Sequence, residues 1–386
     1  MIMFDNFKEW FKRVKPYFIL LFIPILFTLL FGEAMSPIFV EDIPIGIYDM
    51  DNSPSSKDVI DQFYDCPVFD IEKNYDDMKK LEEDLMMSRI RGAVVIPKEF
   101  GEDLKGKKGA EALVLIDSTN IVIGNNLKAF AVTVFSTINA GIQLKTLEAG
   151  EMVPYQAEQN IYTLSVVDRT LYNPQVGYLY YLYAGFLAIL IQQSFLSVTP
   201  SILLMEKSRL KKLPEDPRVK KVQVARMSRV IGMYAVVSMI SMLACLLIVN
   251  KLYSYPLYGS LWLTLLLHVI FIACLVGVSL VIAAIFDDVT HCAQFTMFLT
   301  IPTLLSCGYS WPEYMMAKGF APAMKALWPL YYYSNPLKDI MLKGVDFEVI
   351  GHYVIGSIIF AAVWIPVGLL FYNHKLKIIR QIERKI

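Results

Sequence analysis

Charge is scarce in this sequence. Asp, Glu, Lys and Arg make up 19% of 386 residues and sum to a net charge of zero, so no nucleic-acid partner is expected. Cysteine is also rare. Cys66, Cys245, Cys274, Cys292 and Cys307 show neither a disulfide framework nor a metal spacing, and three of them fall in or beside apolar runs. With four histidines, no Ser/His/Asp set and no metal cluster is visible. One phosphate motif is a decoy. GEDLKGKK, residues 101–108, matches G-x-x-x-x-G-K, but Lys108 stands where Ser or Thr must hold magnesium. It reads as a solvated turn. These shortages disfavour an enzyme, and no cofactor is expected on this chain. If ATP is consumed, another chain must bind it together with its Mg.

What the sequence has instead is apolar residues, 55% of the total, gathered in blocks. Residues 176–204, 230–249, 261–286, 291–309 and 350–372 hold no charged side chain, and 16–36 holds only Glu33. Most reach the ~20 residues that a membrane-spanning helix needs. The shortest, 291–309, reaches that length only by including His291–Gln294 and the flank toward Tyr309. The expected fold is therefore an α-helical integral membrane protein with six transmembrane helices. Short loops set its orientation. Residues 1–15, 205–229 and 373–386 hold 18 Lys or Arg, against five in 250–260 and 307–349. Both termini and 205–229 are expected in the cytoplasm, at the cell membrane. Gly32-Glu33-Ala34 loosely resembles a signal-peptidase site; Glu33 at its middle position and Pro24 inside the run leave cleavage open, and the first span is expected to be retained.

Residues 41–172 form a separate unit with 23 acidic and 13 basic residues. IPIGIYDMD, VFDIE, RGAVVIP and EALVLID read as strands. SPSSKDVIDQFYD, with Ser53 as cap and Pro54 at the first position, reads as a helix, as does YDDMKKLEEDLMMSR. This alternation predicts an extracytoplasmic α/β domain inserted between spans one and two. The apolar helix 121–147 is not taken as a seventh span, because Asn125, Asn126 and Lys128 interrupt it and a further crossing would reverse the charge balance.

Near the end stands LLSCGYSWPEYMMAKGFAPAMKALWPLYYYSNPLKDIMLKG, from Leu304. It resembles the closing region of the ABC-2 type transporter permeases, or type V ABC exporters. The matching residues are Gly308, Tyr309, Trp311, Pro312, Pro329, Leu330, Tyr332 or Tyr333, Lys338, Leu342, Lys343 and Gly344. The family more often carries Arg at the place of Lys338. TLYNPQVGY resembles the family's entry to span two, and GIYDMDNSPSSKDVIDQF and RGAVVIPKEFGEDLKGKKG resemble its six-span subgroup with a large outer domain. The order and spacing of these motifs carry the likeness, which covers nearly the whole chain.

The resemblance implies a membrane subunit that pairs with an ABC ATP-binding subunit and with a second permease, identical or similar, in the lipid bilayer. It implies a coupling segment at 205–229, with Glu206, Lys207, Arg209, Lys211 and Lys212 as candidate contacts. Glu-Lys-Ser stands there in place of the family's Glu-Arg-Glu. It also implies re-entrant helices in 310–349 and an outer gate at Gly308, Trp311, Pro312, Trp328 and Pro329, with Trp311 and Trp328 as anchors. Residues 1–15 are expected to lie in the membrane interface as an amphipathic helix, since Phe4, Phe7, Phe11 and Val14 share one face. Gln192, Gln193 and His268 are candidates for lining a pathway or for bonding helices together. Expected cargo is hydrophobic or amphipathic: a drug, a lipid-like molecule or a peptide. The alternative is a membrane-anchored binding or assembly module without transport.

Overall fold

The computed structural model describes residues 2–35, 41–105, 110–148, 171–173, 177–210 and 217–383, the side chains of 2–13, 105, 121, 143, 145–148, 217, 219, 220, 301, 382 and 383 excepted. Lys211, Lys212 and the apolar face of Phe4, Phe7 and Phe11 therefore lie outside what is described. The chain divides into two compact units, Phe39–Arg169 and the remainder.

The first unit is a four-stranded sheet with helices. Its elements are β1 (Ile43–Asp49), α2 (Pro54–Tyr64), β2 (Phe69–Asn74), α3 (Met78–Met86), β3 (Gly92–Ile96), α4 (Phe100–Lys105), β4 (Leu113–Ile116) and α5 (Ile121–Glu148). The strand order is β2-β1-β3-β4. β1 runs parallel to β2 and β3, and β4 is antiparallel to β3. Strand alternation makes two cores. Ile43, Ile45, Val94 and Ile96 face Val59 and Phe63 of α2 and Leu127 of α5. Ala93 and Val95 face Tyr75 and Leu81 on the other side. Ser53 caps α2, accepting from the Ser56 amide at 3.1 Å, and Pro54 is its first residue.

The second unit is a helical bundle. It contains α1 (Ile2–Met35), α6 (Tyr178–Leu210), α7 (Pro217–Tyr253), α8 (Leu261–Ile285), α9 (Val289–Ser306), α10 (Phe320–Leu327), α11 (Tyr331–Lys343) and α12 (Phe347–Glu383). Among the described residues, five stretches are long and apolar enough to cross a membrane: Val14–Met35, Tyr178–Leu210, Lys221–Tyr253, Leu261–Ile285 and Phe347–Gln381. α6 is the central helix, buried along most of its length, while α7 and α12 leave large apolar side chains exposed. That is the pattern expected where lipid, not water, meets the outer helices. α8 and α12 approach closely at two glycines. A Cβ on Gly277 would lie 2.9 Å from the Trp364 carbonyl carbon, and one on Gly368 would lie 2.8 Å from the Gly277 oxygen.

Two segments differ in detail from the sequence reading. The span expected at 291–309 is an 18-residue helix, Val289–Ser306, and is not among the five. His291, Gln294 and four threonines dilute its apolar character. The segment 205–229 is also less a loop than the charges suggest. α6 runs on to Leu210, and α7 begins at Pro217. Lys and Arg are good helix formers, so their appearance marks the end of apolarity without ending the helix.

Candidate functional site

Candidate residues fall at the two ends of the bundle and in its middle. Between Tyr181 and Lys207, α6 rises about 39 Å at 1.5 Å per residue. That exceeds the ~30 Å of a bilayer's hydrocarbon core, so the two ends stand on opposite sides of it.

At one end, basic residues of α6 and α12 meet the end of α8. Lys207 is buried, and its Nζ donates to the carbonyls of Ala283 at 2.9 Å and Phe286 at 2.8 Å, and to Asp287 Oδ1 at 2.9 Å. The ammonium thus closes the C-terminal end of α8, where carbonyls lack helical partners. Lys375 of α12 reaches Asp287 Oδ2 at 2.9 Å, and Arg380 donates to the Leu210 carbonyl. Burial works to push the Asp287 carboxyl up, but Lys375 and Lys207 outweigh it and hold it below its ordinary value. Tyr372 donates to the Leu203 carbonyl at 2.8 Å. α6, α8 and α12 are stapled together here.

Of the expected coupling contacts, Glu206 and Lys207 are buried within this chain. Lys207 directs its charge inward to a helix end. Of the five candidates, Arg209 is the one described as exposed.

At the opposite end, Gly308 turns the chain out of α9 with φ of +78°, a left-handed conformation that suits glycine. Tyr309 is buried beside Tyr181, with ring centres 5.9 Å apart, and Tyr181 donates to the Tyr309 carbonyl at 3.0 Å. Lys338 Nζ lies 5.0 Å from the centre of the Tyr309 ring. Asn335 Nδ2 donates to the Cys307 carbonyl at 3.0 Å, fixing α11 against the turn. Pro312 caps a short 3₁₀ turn, Glu313–Met315. Glu313 then pairs with Lys325 of α10 at 2.6 Å. Trp328 ends α10 and Pro329 is buried behind it. Trp364 Nε1 of α12 donates to the Ala326 carbonyl at 2.9 Å. Trp328 packs against the core, but Trp311 is 51% exposed, so its expected anchoring is not by a ring buried within this chain.

The mid-bundle candidates hold helices together. Gln192 Nε2 donates to Thr303 Oγ1 at 3.2 Å, and Thr300 donates to Gln193 Oε1, tying α6 to α9. His268 is buried, sharing hydrogen bonds with Ser238 at 3.2 Å and Tyr333 at 3.0 Å. Phe271 stacks on Tyr333 with centres 4.2 Å apart. His268 is a node between α7, α8 and α11. The threonines and Ser238 were not singled out in the sequence, because nothing local marks which of many hydroxyls meets a buried partner.

A bundle with five membrane-length helices, aromatic at one end and basic at the other, is a multi-pass membrane protein. Comparison with protein families matches residues 15–370 to the model described as ABC-2 family transporter protein, and the chain belongs to that family. It is thus a transporter membrane component. No curated protein and no solved structure matches it.

Proposed function

We propose that this chain is the permease subunit of an ATP-driven exporter. ATP is hydrolysed by a separate ABC subunit, which binds the nucleotide and Mg. The cargo is hydrophobic or amphipathic: a drug, a lipid-like molecule or a peptide. Two permeases, identical or similar, assemble in the cell membrane with six spans each. The basic end and both termini face the cytoplasm, the α/β unit and the Trp311 end face away from it, and α9 serves as the fifth span.

Within the family assignment, the observation that carries this reading is the gathering of Lys207, Arg209, Arg226, Lys375 and Arg380 from distant stretches at one bundle end. Positive charge faces the cytoplasm in multi-pass proteins. The same end couples α6, α8 and α12, so a push on α6 beside Arg209 reaches the other two through Lys207 and Arg380. The short helices around Trp311, Pro312, Trp328 and Pro329 supply the outer gate under Gly308.

The test is purification of the full chain from its own host membranes in mild detergent. An ATP-hydrolysing subunit should come with it, and the chain expressed alone should hydrolyse no ATP. Isolation without any ATPase would overturn the reading in favour of a membrane-anchored binding module.

A further inference from the structure

We propose that a cavity between α6 and α7 at the basic end holds the head group of a phospholipid bearing a primary amine. This goes beyond the transport reading, and its test uses the chain without any ATP-binding subunit. The cavity measures about 140 Å³, room for several waters, and its described lining includes Ile202, Glu206, Arg209, Arg226, Met227 and Val230.

Glu206 decides the chemistry. It is 5% exposed, and its Oε1 has no hydrogen-bond partner. Its Oε2 has Arg209 Nη1 at 3.7 Å, too long for a good hydrogen bond. A buried carboxylate oxygen without a donor is costly, so the cavity is built for an occupant that brings an N–H. Arg209 and Arg226 are exposed at the same cavity, and guanidinium groups match phosphate geometry. A carboxylate inside and two guanidinium groups at the rim together describe a small zwitterion, an ammonium joined to a phosphate. A quaternary amine has no N–H to give Glu206, and a glycerol head group offers only neutral O–H donors, with no cation to pair with the carboxylate.

Position supports a lipid as the source. The charge-free part of α6 ends just before Glu206, and the charge-free part of α7 begins at Val230. The cavity therefore sits at head-group depth, and Ile202, Met227 and Val230 offer an apolar wall toward the acyl region.

The experiment is thermal unfolding of the full chain in detergent, titrated with short-chain phosphatidylethanolamine, phosphatidylcholine, phosphatidylglycerol and free phosphoethanolamine. Phosphatidylethanolamine should half-saturate at about tenfold lower concentration than the other two lipids, the difference one charge-assisted hydrogen bond supplies. It should also act below free phosphoethanolamine. Glu206→Gln should abolish the preference for the primary amine while leaving the response to phosphatidylcholine. Arg226→Gln, at an exposed position, should weaken all three lipids. Equal half-saturation by the three lipids, or a preference that survives Glu206→Gln, would overturn the proposal. Equal potency of free phosphoethanolamine would overturn the lipid source. A protein side chain as the true occupant would appear as indifference to every lipid, which also overturns it.

Discussion

Replacing Lys207 with Met should strip the α8 end of its donor while keeping the apolar stem. The carbonyls of Ala283 and Phe286 would lose a charged partner inside the bundle. A hydrogen bond to a charged group contributes about 2 kcal/mol, so thermal unfolding of the purified chain should fall by at least that much. Asp287→Asn should cost less, because Asp287 is largely exposed and water replaces what it loses. At His268 the structure predicts a stability effect. Phe there would leave Tyr333 and Ser238 without their shared partner, lowering the melting temperature with no change in cargo preference. None of these roles is local in sequence. Lys207 and Asp287 stand 80 residues apart, and His268 and Tyr333 stand 65 apart. Composition shows that a polar group lies in an apolar run. Only packing shows what it meets.

Helices and strands were far more legible, since each follows from a short pattern. Ser53-Pro54 announces α2, and the apolar runs 43–47 and 92–96 announce β1 and β3. What misled was reading charge as the end of a helix, because Lys, Arg and Glu propagate helices well in water. At this scale, Gly368→Val should force α8 and α12 apart, since its Cβ would meet the Gly277 oxygen at 2.8 Å. Overpacking of this kind costs about 1–3 kcal/mol, measurable by thermal unfolding. Gly232→Ala meets nothing within 4 Å and should be neutral or slightly stabilising. At the Trp311 end, Trp311→Ala should leave folding nearly intact, because half the ring is exposed already. If these short helices form the gate, ATP hydrolysis should survive the change and export should fall. Normal export by the variant would remove Trp311 from the gate.

Over the whole molecule, the paired carboxylates set the response to acid, most plainly in the α/β unit. In the α/β unit, hydrogen bonds from Tyr75 and then Arg89 hold the Asp84 carboxyl below its ordinary value. Those from the Thr119 side chain and amide, then Arg91, do the same for Asp117. A carboxylate whose folded pKa is depressed stabilises the fold above its unfolded value of about 3.9. That contribution is lost as pH falls through the lower, folded value. The α/β unit should therefore weaken below about pH 4 and show no such loss between pH 5 and 8, as followed by circular dichroism. The organisation of the chain into a helical bundle and an α/β unit was legible because hydrophobic runs and alternating patterns are both extended signals. The polarity of the bundle rests on summed charge, and its partner on the family. One measurement joins them. With Cys66→Ser removing the one thiol that is not buried, cysteine is placed at Arg209 or at Trp311 and treated with a short thiol-to-amine cross-linker in native membranes. The account predicts that Arg209→Cys joins the chain to an ATP-binding subunit and that Trp311→Cys does not. Cross-linking from Trp311→Cys but not from Arg209→Cys would contradict it.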